Sequence, residues 1–162
     1  MEEELLKKFE QAIKISDEVL EFSKPLVKEN VKAIDIAEKI ENEIRRHGAK
    51  PAWPVNISMN EIAAHYAPEA NDPLVFKTDD LVKVDFGVQI DGCTSDRAFT
   101  VCIGKTTHPL IEASMKAVDE AIKILKPGVK VFEISEVIEN VVTEFGFNPI
   151  RNLSGHGIEQ YN

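Results

Sequence analysis

Apolar residues recur along this chain with two different periods. From Glu2 to about Phe22, Leu5, Leu6, Phe9, Ile13, Val19 and Leu20 come at helical spacing until Lys24-Pro25 interrupts them. Ala33 to His47 shows the same period, with Ile34, Ala37, Ile40 and Ile44 inward and Gly48 as the stop. Pro109 to Leu125, ended by Lys126-Pro127-Gly128, and Val131 to Phe145, stopped at Gly146, predict two further helices. Between residues 82 and 101 the period falls to two. Val82, Val84, Phe86, Val88 and Ile90 alternate there with Lys83, Asp85, Gly87 and Gln89, and a second alternating run leads to Phe99 and Val101. Asp91-Gly92 separates the runs, a strong signal for a hairpin. Residues 49 to 81, rich in Pro and Asn, read as loops with a short strand at Val55 to Ser58. Another short strand is expected near Ile150 to Leu153. Helices around a hairpin predict a mixed α/β (α+β) fold.

A two-residue turn at Asp91-Gly92 fixes the register of the hairpin. Ile90 then lies opposite Cys93, Gly87 opposite Asp96, and Asp85 opposite Ala98. The valines, Phe86 and Ile90 share a face that packs on a core. Asp85 and Asp96 are diagonal neighbours on the other, wetter face. Gly87 between them carries no side chain, which leaves room for something to bind. Two carboxylates converging over an empty spot ask for a cation, although two aspartates on a hairpin are by themselves more often a solvated face. Arg97 falls by parity among the apolar residues, and its stem is expected to reach sideways to solvent.

Composition narrows the picture. The chain has 162 residues, of which 43% are hydrophobic and 29% charged, ordinary for one soluble core. Its net charge of −9 and the lack of a basic patch exclude a nucleic-acid partner. No apolar run approaches a membrane span, and three glutamates near the start replace a targeting signal, so a cytoplasmic location without membrane contact is expected. Two cysteines agree with a reducing compartment. Cys93 and Cys102 project from opposite faces of the hairpin, which argues against a bridge, and no His or Asn is placed to activate either thiol.

The chain also repeats itself. Asp35-Ile-Ala-Glu-Lys-Ile-Glu-Asn matches Glu133-Ile-Ser-Glu-Val-Ile-Glu-Asn at an offset of 98, which also carries Gly48 onto Gly146 and Pro51 onto Pro149. Lys24-Pro25 matches Lys126-Pro127 at a slightly larger offset. Two generic amphipathic helices with similar stops would look alike, but the shared helix–Gly–x–x–Pro pattern favours a duplication. The expected organisation is one partial domain over residues 1–162, with a first half-repeat at 1–105 and a second beginning at 106–162. The first copy runs on into the carboxylate hairpin. The second has 16 residues after Gly146 and no hairpin, so the chain reads as cut partway through its second half.

Three more residues could carry chemistry. His156, in Ser154-Gly-His-Gly, has a glycine on each side, and a neutral imidazole is a common ligand for borderline metals. A loop histidine of no consequence is the plainer alternative. His65, in Asn60-Glu-Ile-Ala-Ala-His-Tyr, could donate to a substrate carbonyl or simply satisfy itself near the core. Trp53, the only tryptophan, is either packing or the wall of an apolar pocket. His47 at a helix end and His108 beside Pro109 read as structural or solvated.

Taken in order, Lys50-Pro-Ala-Trp-Pro-Val-Asn, Asn60-Glu-Ile-Ala-Ala-His-Tyr, Val84-Asp-Phe-Gly-Val-Gln-Ile-Asp-Gly, Ser95-Asp-Arg-Ala and Asn152-Leu-Ser-Gly-His-Gly-Ile-Glu-Gln-Tyr resemble methionine aminopeptidase, closest to its archaeal, type II form. The resemblance spans essentially the whole chain. It implies the pita-bread fold, two related halves of an α/β enzyme, here incomplete. It implies two divalent metal ions (Co, Mn, Fe or Zn) held by two aspartates, a histidine and two glutamates, with Asp85, Asp96 and His156 as the first three. Water activated by the metals would then remove the initiator methionine from a nascent protein or peptide N-terminus. It gives His65 contact with the substrate and with the tetrahedral intermediate. Trp53 stands where a phenylalanine usually lines the methionine pocket, and Phe86 where the residue is usually smaller. The two glutamates would fall beyond Asn162, so a second chain supplying the C-terminal half is the implied partner. The chain alone is expected to bind metal weakly and not to turn over. A non-catalytic binding module of the same fold, for instance at the ribosome, or another peptidase of that fold, such as a proline-specific one, is the alternative.

Overall fold

The computed structural model describes residues 2–161. They form two compact units, one running to residue 105 and including the tail from 157, the other spanning Thr106–His156.

The first unit is built on the hairpin. Strand β3 (Leu81–Ile90) pairs antiparallel along its whole length with β4 (Cys93–Cys102). The other edge of β3 is shared end to end by β1 (Lys50–Pro51), which pairs with Gln89 and Val88, and β2 (Asn56–Met59), which pairs from Asp85 to Val82. Asp91 and Gly92 take φ of 48° and 82°, the two positive values of a type I′ turn. The register that follows is Ile90↔Cys93, Gly87↔Asp96 and Asp85↔Ala98, as the alternation requires. The short strand expected at Val55 to Ser58 begins one residue later, and the two-residue β1 was not legible, because a strand of that length has no period.

Two helices cover the apolar face. Helix α1 is Glu2–Ser23 and α2 is Ala33–Arg46. Ile15 and Val19 of α1 and Ile36, Ile40 and Ile44 of α2 join Val82, Val84, Phe86 and Val88 in one buried cluster. Arg97 does not reach freely to solvent from this face. It lies beneath α1, donating from Nε to Ser16 Oγ at 3.3 Å and pairing through Nη2 with Asp17. Ser95, two residues earlier on the same face, donates to the Ala12 carbonyl at 3.2 Å. A polar strip on α1 therefore receives the two residues that break the apolar pattern of β4. Cys93 and Cys102 are both free and buried.

The tail returns to the hairpin turn. Tyr161 donates its N–H to the Gly92 carbonyl at 2.8 Å, and Gln160 donates from Nε2 to the Asp91 carbonyl at 2.9 Å. The Tyr161 ring lies so close over Gly92 that a Cβ there would meet it at 2.5 Å.

The second unit consists of α3 (Pro109–Ile124) and α4 (Val131–Glu144) with their connections. Residues 150–153 form no strand. A strand needs an adjacent edge to pair with, and among the described residues this unit has none.

Candidate metal centre

The site residues of the first unit come from three segments meeting at the polar face of β3. Pairing places Asp85 and Asp96 as predicted, two residues apart in register across β3 and β4. Asp85 is half-buried and Asp96 is exposed. The space above Gly87 is not open. The six-membered ring of Trp53 fills it, close enough that a Cβ on Gly87 would lie 2.5 Å from Cη2 and Cζ3. The glycine thus admits an indole rather than leaving a void for a cation. From the same ring system, Nε1 donates to Asp85 Oδ1 at 3.3 Å.

His65 arrives on the loop after β2. The Ile57 N–H donates to the Tyr66 carbonyl at 2.7 Å and the Tyr66 N–H to Ser58 Oγ at 3.4 Å, which tethers this loop to the strand. His65 itself adopts a φ of 64°, in the left-handed region that non-glycine residues rarely occupy. Strain of this kind persists where the surroundings impose it, and it gathers at functional sites. His65 opens a cleft of about 440 Å³ lined also by Tyr66, Glu69, Asn71 and Asp72. The Tyr66 hydroxyl donates to Asp72 at 2.7 Å, and the Leu74 N–H donates to the other Asp72 oxygen at 2.8 Å. These bonds hold Asp72 below the ordinary carboxylate range and push the Tyr66 hydroxyl up.

Electrostatics ties four of these groups together. Burial raises the Asp85 carboxyl above its ordinary value, and the negative charge of Asp96 raises it further. The Trp53 N–H, His65 and Lys83 pull the other way. Lys83, whose ammonium is lowered by burial, joins the site although no motif marked it. Its signal was parity alone, since it lies two residues before Asp85 on the same face.

Burial and the neighbouring charge of Asp96 both disfavour the ionised Asp85 carboxylate, and a cation beside it would offset both. That chemistry fits a divalent ion, with Asp85 and Asp96 as the donors. His156 belongs to the second unit, where it is exposed. Among the described residues, no three His, Cys, Asp or Glu side chains cluster as a metal cage. His47 and His108 are structural. His47 lies between Glu18 and Glu43 at 3.4 and 3.3 Å, and His108 Nδ1 accepts the Leu110 N–H at 3.2 Å as the cap of α3.

A carboxylate pair on a rigid sheet, with a histidine and an indole beside it, fits the class of metal-dependent hydrolases. Residues 7–161 match metallopeptidase family M24, and the chain belongs to that family. It is 46% identical to a methionine aminopeptidase of Pyrococcus horikoshii over 93% of this chain and 51% of that protein. It is 43% identical to a methionine aminopeptidase of Methanothermus fervidus over 96% of this chain and 90% of that one. The crystal structure of a methionine aminopeptidase from Thermotoga maritima superposes with a TM-score of 0.87 at 28% identity, covering 94% of this chain and 65% of that one. The fold is therefore the pita-bread fold of this family. The chain spans about half the length of the Pyrococcus relative.

Proposed function

We propose that this chain is the N-terminal portion of a dinuclear methionine aminopeptidase that removes the initiator methionine from nascent proteins. The observation that carries the reading is the Asp85–Asp96 pair on the polar face of β3, with Trp53 and His65 acting on the same carboxylate. Asp85, Asp96 and His156 would hold the ions, and two glutamates from polypeptide outside this sequence would complete the set. Bound there, divalent metal ions supply Lewis-acid activation of water and of the scissile carbonyl. His65 donates a hydrogen bond to the substrate carbonyl oxygen as it gains charge. Trp53 and the cleft beside His65 bound the space in which the first side chain sits. The acidic half-site favours the terminal ammonium of a peptide. Two free, buried cysteines suit a reducing cytoplasm, and among the described residues no helix is long and apolar enough to cross a membrane.

The exposed faces of α3 and α4 support a requirement for the second half. Met115, Val118, Ile122, Leu125, Val131 and Phe132 are all more than half exposed. A polypeptide carrying the missing hairpin and glutamates would cover such faces. The test is release of methionine from Met-Gly-Met-Met with Mn²⁺ or Co²⁺. The chain alone is expected to be inactive, and the chain mixed with a C-terminal half active. Turnover by the purified chain alone near the rate of whole enzymes would contradict the proposal. Asp96→Asn should abolish the reconstituted activity while leaving assembly intact.

A further inference from the structure

Trp53 is held in place before its side chain acts. Pro54 follows it and confines its backbone to extended conformations. The Ala52 N–H donates to the Gly87 carbonyl at 2.9 Å, one residue past the pairing of Pro51 with Val88. The indole is thereby laid along the polar face of β3. One end covers Gly87, where no side chain could be tolerated, and the other presents Nε1 to Asp85 Oδ1 at 3.3 Å. A ring that served only as an apolar wall would have no need to direct its single donor at a carboxylate. Phenylalanine would fill the same space without that donor.

The terminal torsion of an aspartate is broad and loosely held unless something fixes it. A donor on one carboxylate oxygen stops that rotation. Hydrogen bonds of this kind to metal-ligating side chains commonly govern affinity by about 10–100-fold.

The geometry points to Trp53 as a positioning residue for Asp85: its ring is seated on Gly87, and its N–H holds one oxygen of the carboxylate, leaving the other to a divalent cation. The inference rests on the reading of Asp85 and Asp96 as metal ligands. It also makes Trp53 a built-in reporter. As the only tryptophan, it gives a single indole N–H signal, located at the proposed ion site.

The experiment is a titration of the 162-residue chain with Mn²⁺ alone, followed by calorimetry and by the indole cross-peak in ¹H–¹⁵N spectra. The indole peak should broaden beyond detection at a small fraction of saturating Mn²⁺, ahead of amides on the opposite face of the sheet. Trp53→Phe keeps the ring over Gly87 and removes the donor. It should weaken Mn²⁺ binding about tenfold without moving the urea midpoint. Asp96→Asn should abolish saturable binding. Wild-type affinity in Trp53→Phe, or an indole peak that survives saturating Mn²⁺, would overturn the positioning role while leaving the Asp96 result to uphold the metal site. Wild-type affinity in Asp96→Asn, or no saturable binding by the unaltered chain, would overturn the metal reading and this inference with it.

Discussion

Helices α2 and α4 share a sequence pattern and differ in what covers them. Their ends fall at the same offset of 98, Ala33 onto Val131 and Arg46 onto Glu144. In α2 the inward residues Ala33, Ile36, Ala37, Ile40 and Ile44 are at most 5% exposed, because α1, β1 and β2 pack against this helix and its inward side chains join the buried cluster of the first unit. In α4 no residue is buried, and Val131, the counterpart of Ala33, is 72% exposed. An amphipathic pattern states that a helix has a face to bury; whether the face is buried depends on the partner. Among the described residues the second unit has no strand to cover that face.

The largest expected effect tests this difference directly. Ile40→Ala should destabilise the first unit by about 2–5 kcal/mol, the usual loss for a large aliphatic side chain in a closed core. The counterpart Ile138→Ala should cost about 1 kcal/mol or less, because its site is only partly covered. Urea unfolding of both variants measures the gap, and equal losses would break the comparison. Gly92→Ala comes next. The added methyl meets a φ of +82° and the Tyr161 ring, and a loss of about 1–2 kcal/mol is expected from the backbone alone. Loss of the Tyr161 N–H signal protection in the same variant would sharpen the link between tail and turn. A smaller effect concerns acid. Asp72 is held below its ordinary value of 3.8, chiefly by the Tyr66 hydroxyl and then by the Leu74 N–H. The stability it contributes is therefore present above that value and lost as pH falls through the lower folded-state value. Tyr66→Phe should reduce that acid-side slope in thermal melts between pH 5 and pH 2, and an unchanged slope would remove Asp72 from the account.

Much of this was legible in the sequence for a physical reason. A two-residue Asp-Gly turn leaves only one register, so Asp85 opposite Ala98 and Gly87 opposite Asp96 followed from counting. Four helices followed from spacing and from Pro and Gly stops. What escaped depended on tertiary partners. Arg97 breaks the apolar parity because Ser16 and Asp17 of α1, distant in sequence, receive its guanidinium. Gly87 looked like space for an ion, because nothing local shows that a tryptophan 34 positions earlier folds back over it. The expected strand at 150–153 had the right residues and no edge to join. Lys83 was placed on the correct face, but its closeness to Asp85 mattered only once burial was known. His156 could be proposed from its flanking glycines alone, and the hairpin geometry does not bear on it.

Amide hydrogen exchange on the chain alone and with a C-terminal half added tests the central claim most directly: α4 carries the amphipathic pattern of α2 without, among the described residues, strands that bury it. The account predicts that the central amides of α2 are strongly protected in the isolated chain, that those of α4 exchange far faster, and that the added half slows α4 while leaving α2 nearly unchanged. Protection of α4 equal to that of α2 in the isolated chain, or no change at α4 on addition, would contradict it.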